Sequence, residues 1–283
     1  MTVPESYGFC ERVARSQAKN FYYSFLLLPK PKRLAMCAVY AFMRYCDDLS
    51  DDASFGGSAQ DRGAAIAGWR ADLEAALAGR MPTHALWPAF ADTVERYRIP
   101  HSYFFEMIEG VRSDLEPRRV RAFEELYGYC YHVASVVGLT IVHIFGFEDP
   151  EALKLAEKCG IAFQLTNIIR DVKEDAENGR VYLPEEDLAR FGVSPDALRG
   201  REVTIEVRKL LEFEAGRARA YYRESAALVG MVAAETRGSL RALIGIYSRL
   251  LERIAEANYA VLGARIRVPA WEKLRILVRS HWG

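Results

Sequence analysis

The sequence predicts an all-α single domain, and three observations carry that prediction. Apolar residues recur at three- and four-residue spacings along most of the chain, which places them on one face of an α-helix. No strand-like alternation or hairpin pattern persists, and there is no repeat or low-complexity tract. At 283 residues with 51% hydrophobic composition, the chain has ample material for one large core.

The elements follow in order. Pro4 to Lys19 reads as a first helix with an apolar stripe through Tyr7, Cys10 and Val13. Residues 20–29 form an aromatic-rich elbow closed by Pro29 and Pro31. Lys32 to Leu49 is a strongly apolar helix with the acidic run YCDDLSDD at its far end, followed by a glycine-containing loop over 52–58. Gln60 to Ala78 is amphipathic through Ile66, Trp69 and Leu73, and Gly79 ends it. His84 to Tyr97 and His101 to Val111 are shorter helices parted by Pro100. Arg121 to Phe145 is a long helix with almost no charge after Glu125. Tyr129, Val133, Ala134, Val137, Gly138 and Ile141 line one broad face of it. The small residues Ala134, Ser135 and Gly138 leave room there for close helix packing or for the wall of a lipid-sized slot. Pro150 opens a central helix to Glu177, and an irregular link, GRVYLP, follows at 179–184. Val203 to Leu228 and Thr236 to Leu262 are long helices, and Trp271 to His281 closes the series.

Composition narrows the function. The 38 basic and 38 acidic residues cancel, so no global field points to nucleic acid. Cys10, Cys37, Cys46, Cys130 and Cys159 are odd in number and lack C-x-x-C spacing, as expected of buried reduced thiols in a cytoplasmic protein. The N-terminal residues hold no apolar signal core. No segment reaches the roughly 18–20 apolar residues that span a bilayer; Val133 to Phe147 comes nearest but carries Ser135 and His143. The expectation is a cytoplasmic protein whose membrane contact, if any, is peripheral at the inner face.

Two acidic motifs carry the chemistry. Asn167, Asp171 and Asp175 recur at i, i+4 and i+8 in the central helix, with Gln164 a turn earlier, so an amide and two carboxylates project from nearly one face of an apolar helix. Such a stripe is costly to bury without cations. Tyr40, Arg44, Asp47 and Asp51 form a second stripe, and Asp48 and Asp52 add to it. Carboxylates there oppose the helix macrodipole and repel one another by about 0.2–0.5 kcal/mol per i,i+4 pair. Oxygen ligands in pairs suit Mg²⁺, with Mn²⁺ as a substitute, which completes its shell with water and substrate phosphate. Two facing clusters would clamp a diphosphate, and Arg44 and Arg170 stand beside them to pair with carboxylate or phosphate. A single D-x-x-x-D is more often a solvated face; two in apolar helices are not readily explained that way.

These motifs resemble the squalene and phytoene synthases, which join two prenyl diphosphates head to head. FYYSFLLLPKPKR, AVYAFMRYCDDLSDD, YGYCYHVASVVG, GIAFQLTNIIRDVKEDAENGRVYLP and the Tyr247 segment occur in family order across nearly the whole chain. The resemblance implies an isoprenoid-synthase-type helical bundle with a central apolar cavity. It implies that Asp47, Asp51, Asn167, Asp171 and Asp175 bind metal, that Arg44 and Arg170 face the diphosphate, and that Asp48 and Gln164 line the same site. Lys19 and Asn20 fall where the family contacts diphosphate, although some members carry His-Ser where this chain has Gln17-Ala18. Phe21, Tyr40, Tyr129 and Tyr247 are implied pocket aromatics, and Val133, Ala134, Val137 and Gly138 the apolar wall. In the implied mechanism Mg²⁺ assists departure of diphosphate, and aromatic faces stabilise the allylic cation. The second chain's double bond attacks, and proton loss, to diphosphate or through Tyr129, closes a cyclopropane. Without the resemblance, the tyrosines, His132 and His143 read as core residues, Asp114 as a polar wall or a helix-end carboxylate, and Arg180 as a flap or a solvated charge.

Within the family, the elbow and the length look most like bacterial presqualene diphosphate synthases of hopanoid biosynthesis, which use farnesyl diphosphate and no reductant. The runner-up is phytoene synthase of carotenoid biosynthesis, using geranylgeranyl diphosphate. Behind it stand squalene or dehydrosqualene synthases, with NADPH needed only if squalene is completed. Downstream hopanoid or carotenoid enzymes would then be partners. A non-catalytic helical scaffold in lipid synthesis is the alternative of another class, and the mutual repulsion within the acidic motifs speaks against it.

Overall fold

The computed structural model describes residues 1–18, 21–51, 58–115 and 119–282, without the side chains of Asp51 and Trp282. Lys19, Asn20, Asp52 and the Asp51 carboxylate therefore lie outside what is described. The first helix, α1 (Val3–Gln17), opens on a capping box in which Thr2 and Glu5 satisfy each other's backbone N–H groups. The expected elbow contains a short helix, α2 (Phe21–Phe25). Next come α3 (Lys30–Asp51), α4 (Ala59–Leu77), opened by a second capping box between Ser58 and Asp61, α5 (Trp87–Arg96) and α6 (Ser102–Ser113).

The long uncharged helix is α7 (Phe123–Cys130) running into α8 (Val136–Phe145) through one π-helical turn, Tyr131–Ser135. Taken whole, Phe123–Phe145 is long and apolar enough to cross a membrane, which the sequence estimate missed by starting at Val133. Here it is an internal wall, more than half buried, packed on α6 and on the central helix α9 (Glu151–Glu177). The turn after α9 is closed by Gly179, whose φ of +77° suits a residue without Cβ.

A further helix not expected from the sequence, α10 (Glu185–Phe191), then forms, with three acids in its first turn and left-handed Gly192 at its end. Thr204 caps α11 (Ile205–Glu224), and α12 (Leu228–Met231) is a single turn. Helix α13 (Arg237–Glu256) stops before the predicted Leu262, because Asn258 and Tyr259 take left-handed φ values of 53° and 58°. The series ends with α14 (Ala270–Trp282). No strand forms among the described residues, and only isolated bridges join Arg119 to Val181 and Phe147 to Val232.

Helix α9 is the axis, packed by α11, α8, the π-turn and α13. On one side α1, α3, α5 and α6 enclose an aromatic core in which Phe42 stacks on Phe90 at 4.5 Å and on Trp69 at 5.6 Å. On the other, Ile168, Ile169 and Val172 of α9 pack with Leu210, Leu211, Leu250 and Leu251. Two glycines set the spacing between α9 and the α7–α8 helix. A Cβ on Gly160 would stand 2.6 Å from the Ser135 Cα, and one on Gly138 would stand 2.9 Å from the Ala156 carbonyl oxygen. The small-residue face thus serves close packing and, through the same Gly138, a cavity wall. All five cysteines are buried, and none is in a disulfide.

Candidate active site

A cavity of about 450 Å³ opens between α3, α9, the π-turn with α8, and α13. Its walls follow helical arithmetic. On α3 the lining residues are Met36, Val39, Tyr40, Met43, Arg44 and Asp47; on α9 they are Ala156, Cys159, Gly160, Phe163, Gln164, Asn167 and Arg170. Both are three-four stripes, and both turn from apolar to polar toward the helix C-terminus. At about 1.5 Å per residue, the α3 wall is about 16 Å long and the α9 wall about 21 Å. Val133, Ala134, Val137 and Gly138 form the third side as expected, and Leu228, Leu240 and Leu243 add apolar surface. The result is a slot with one charged mouth and an apolar interior.

At the mouth, Arg44 forms an ion pair with Asp48, while Asp47 lines the opening. Across from them the Arg170 guanidinium clasps Asp171, donating from Nε to Oδ1 at 2.8 Å and from Nη2 to Oδ2. Arg265 holds the same carboxylate at 3.1 Å and reaches Glu174 at 3.1 Å. Asn167 donates from Nδ2 to Gln164 at 3.3 Å, while its buried Oδ1 has no hydrogen-bond partner. That oxygen is an unpartnered acceptor on a residue of the cavity wall.

The second acidic stripe does not stay on one face. Each i+4 step on an α-helix advances about 40°, so Asp175 lies about 80° round from Asn167. Asn167 and Arg170 line the cavity, and Asp171 stands at the rim beside Arg265. Asp175 turns toward Arg180 and Asp114. Burial pushes its carboxyl up to about 7; Arg180 pulls it back, and Asp171, Glu174 and Asp114 push it further. Asp114 in turn accepts from Tyr129 at 3.1 Å and from Tyr182 at 2.8 Å, and the two rings stack at 4.6 Å. Tyr129 thus belongs to the second core cluster beside Asp114 and is not among the residues lining the cavity. The GRVYLP link is anchored rather than loose: Val181, Tyr182 and Leu183 are buried, and the Glu185 N–H donates to the Val120 carbonyl at 2.8 Å.

Below the mouth lies a run of aromatic rings. Tyr40 meets Phe21 at 6.4 Å, Phe21 meets Tyr247 at 5.6 Å, and Tyr247 stacks on Phe163 at 4.4 Å and 12°. Burial pushes the Tyr40 and Tyr247 phenols up to about 12, although Arg44 and Arg170 respectively draw them down. Both are neutral at physiological pH. The belt offers π-faces to a cation without offering a nucleophile.

Several lining residues escaped the sequence. Phe163, one apolar residue among many in its helix, lines the cavity beside Gln164 and Asn167. Met36 extends the Tyr40–Arg44–Asp47 stripe backward by one turn, and Met43 falls within it, one turn before Asp47. Arg265 lies in an irregular segment with no periodicity to flag it. Gln17 and Ala18, where the chain departs from some family members, also line the cavity.

The donors suit a hard divalent cation. No three acidic, imidazole or thiol side chains converge as a ready cage among the described residues. An open mouth lined by Asp47 and Asn167, with the Asp171 carboxylate at its rim, matches an ion that takes few protein ligands and fills its shell from water and phosphate.

Comparison with known proteins gives the same answer from the whole chain. The squalene/phytoene synthase family profile matches residues 14–272. The 15-cis-phytoene synthase of Synechococcus elongatus is 36% identical over 96% of this chain and 91% of its own length. Phytoene synthase 1 of Arabidopsis thaliana is 37% identical over 98% of this chain, which spans 66% of the plant protein. A dehydrosqualene synthase structure superimposes with a TM-score of 0.90 at 30% identity, covering 98% of this chain and 96% of that one. A squalene synthase of Alicyclobacillus acidocaldarius superimposes at 0.83 and 31% identity, covering 91% and 95%. With its two acidic helix ends opening on one aromatic-lined apolar slot, the chain belongs to the squalene/phytoene synthase family of prenyltransferases.

Proposed function

We propose that this chain joins two geranylgeranyl diphosphates head to head in the manner of a phytoene synthase. Head-to-head condensation of prenyl diphosphates is the chemistry of the family. The longer chain is favoured by the relatives named phytoene synthase, at 36% and 37% identity over nearly the whole chain. This replaces the farnesyl-based presqualene reading that the elbow and length put first. The observation that carries the chemistry is the polarity gradient of the slot, with arginines, carboxylates and an orphan amide oxygen at one end and about 21 Å of apolar α9 wall behind them.

Asp47, Asn167, Asp171 and Asp175 would hold Mg²⁺, with Mn²⁺ as a substitute, and the bound ion would neutralise charge on the departing diphosphate. Arg44, Arg170 and Arg265 bind diphosphate oxygens, exchanging their present carboxylate partners for phosphate. Phe21, Tyr40, Phe163 and Tyr247 face the allylic cation left behind. The α8 and α13 walls exclude water, so the second chain's double bond is the nucleophile within reach. Tyr129 bonds to Asp114 and is not among the residues lining the cavity, so we assign proton acceptance to the diphosphate at the mouth.

A second substrate is favoured by the 0.90 superposition on a dehydrosqualene synthase: two farnesyl chains in the same slot. Comparing kcat/KM for farnesyl and geranylgeranyl diphosphate with Mg²⁺ decides. Preference for geranylgeranyl is expected. Preference for farnesyl with little geranylgeranyl turnover would overturn the phytoene assignment and leave the site assignment standing.

A further inference from the structure

Helix α14 presents Trp271, Leu274 and Val278 to solvent at 63%, 59% and 53% exposure. Their i, i+3, i+7 spacing makes one continuous apolar stripe, and nothing among the described residues covers it. The polar residues around it are biased to one sign. Arg275 and Arg279 flank the stripe, are exposed, and form no ion pair among the described residues. The one acid of the helix, Glu272, is turned inward and held by Arg249 at 2.6 Å and Arg253 at 2.6 Å. A solvent face that is apolar along its centre and purely basic at its edge is complementary to an anionic lipid headgroup layer over acyl chains.

We infer that α14 is a membrane-docking helix that seats the protein on an anionic bilayer surface, with Trp271, Leu274 and Val278 entering the interface and Arg275 and Arg279 meeting the headgroups. The helix is already formed and fixed, since Glu272 ties it to α13 and Lys273 lies 5.5 Å over the Tyr23 ring. Docking therefore costs no folding. The placement also serves the slot. Helices α13 and α2 both pack against α14 and give Tyr247 and Phe21 to the cavity, so a docked α14 holds the site one helix layer from the lipid. An apolar product then has a short way to the bilayer. The inference rests on exposed surface alone, so it stands or falls separately from the substrate assignment.

The test is co-sedimentation of the full chain with vesicles of equimolar phosphatidylglycerol and phosphatidylcholine, and with vesicles of phosphatidylcholine alone. Binding to the anionic vesicles that weakens as salt is raised is expected. Replacing both arginines, R275Q with R279Q, should weaken it about twenty-five-fold, at about fivefold for each basic residue. The triple change W271S, L274S and V278S should weaken it by at least about tenfold while leaving the far-UV spectrum unchanged and the Tm nearly so, since each residue is more than half exposed. As an independent readout in a W282F background, tryptophan emission should shift to the blue on anionic vesicles, and W271F should remove most of that shift, because Trp69 and Trp87 are already buried. No sedimentation with anionic vesicles at low salt would overturn the inference, as would unchanged binding by the triple variant. A wild-type dimer that the triple change dissociates, without vesicle binding, would assign the stripe to a second copy of the chain instead.

Discussion

At the residue scale, the decisive feature is how ionisable groups divide between the mouth and the ring belt. Tyr247 is buried, stacked on Phe163 and held neutral, so its contribution is the ring face rather than the hydroxyl. Tyr247→Phe should retain near-normal kcat, whereas Tyr247→Leu should lose between about twofold and thirtyfold, the range of a cation–π contact. Steady-state rates on the two variants check this; equal losses would make the hydroxyl the working group. Phe21, Tyr40 and Tyr247 were legible through family motifs and Asp47 and Asn167 through helical spacing. Arg265 was not, because a side chain brought in from a loop by a fold of 94 residues' separation from Asp171 leaves no local pattern. Tyr129 shows the opposite limit: the motif was visible, but its stacking on Tyr182 and its bond to Asp114 were not.

Elements meet through two devices, close glycine contact and a buried charge cluster. Gly160 lets α9 lie against the π-turn, and a methyl there meets backbone that cannot swing aside. Gly160→Ala should destabilise by about 1–3 kcal/mol. Gly216→Ala on exposed α11, with nothing near the new methyl, should stabilise by about 0.5–1 kcal/mol. Urea unfolding of both reads the contrast, and similar effects would remove the close-packing role of Gly160. Helices α10 and α11 share Glu214, Asp187 and Arg217, with Arg217 donating to both acids at 2.9 Å. Burial pushes Glu214 up to about 7, against the pull of Arg217 and with the push of Asp187. A carboxyl raised in the folded state favours the protonated form. Its stabilising share is therefore full below the ordinary glutamate value of 4.5 and is lost as pH rises through about 7. Thermal unfolding between those limits should show stability falling with pH, and Glu214→Gln should flatten the slope; an unchanged slope would contradict the assignment. Helix α10 itself had a signal in the sequence, Pro184, three acids, then Gly192, which a search for long apolar stripes passes over. The π-turn had none; in the fold Ser135 and Ala134 of that turn lie directly over Gly160, a contact no local pattern announces.

At the scale of the molecule, the all-α architecture and the polarity of α3 and α9 were readable because both are periodic properties of single helices. Which helix ends face one another is a property of the assembly, and so are the depth of the slot and the exposed stripe on α14. The central claim is that this slot joins two prenyl diphosphates. Its most direct test is mass analysis of products from pure protein, geranylgeranyl diphosphate and Mg²⁺ without NADPH, beside the same mixture with a chelator. Phytoene or its cyclopropyl diphosphate precursor, formed only with the metal, is the predicted result. Unchanged substrate, or geranylgeraniol from simple hydrolysis, with no coupled product from farnesyl diphosphate either, would contradict the account.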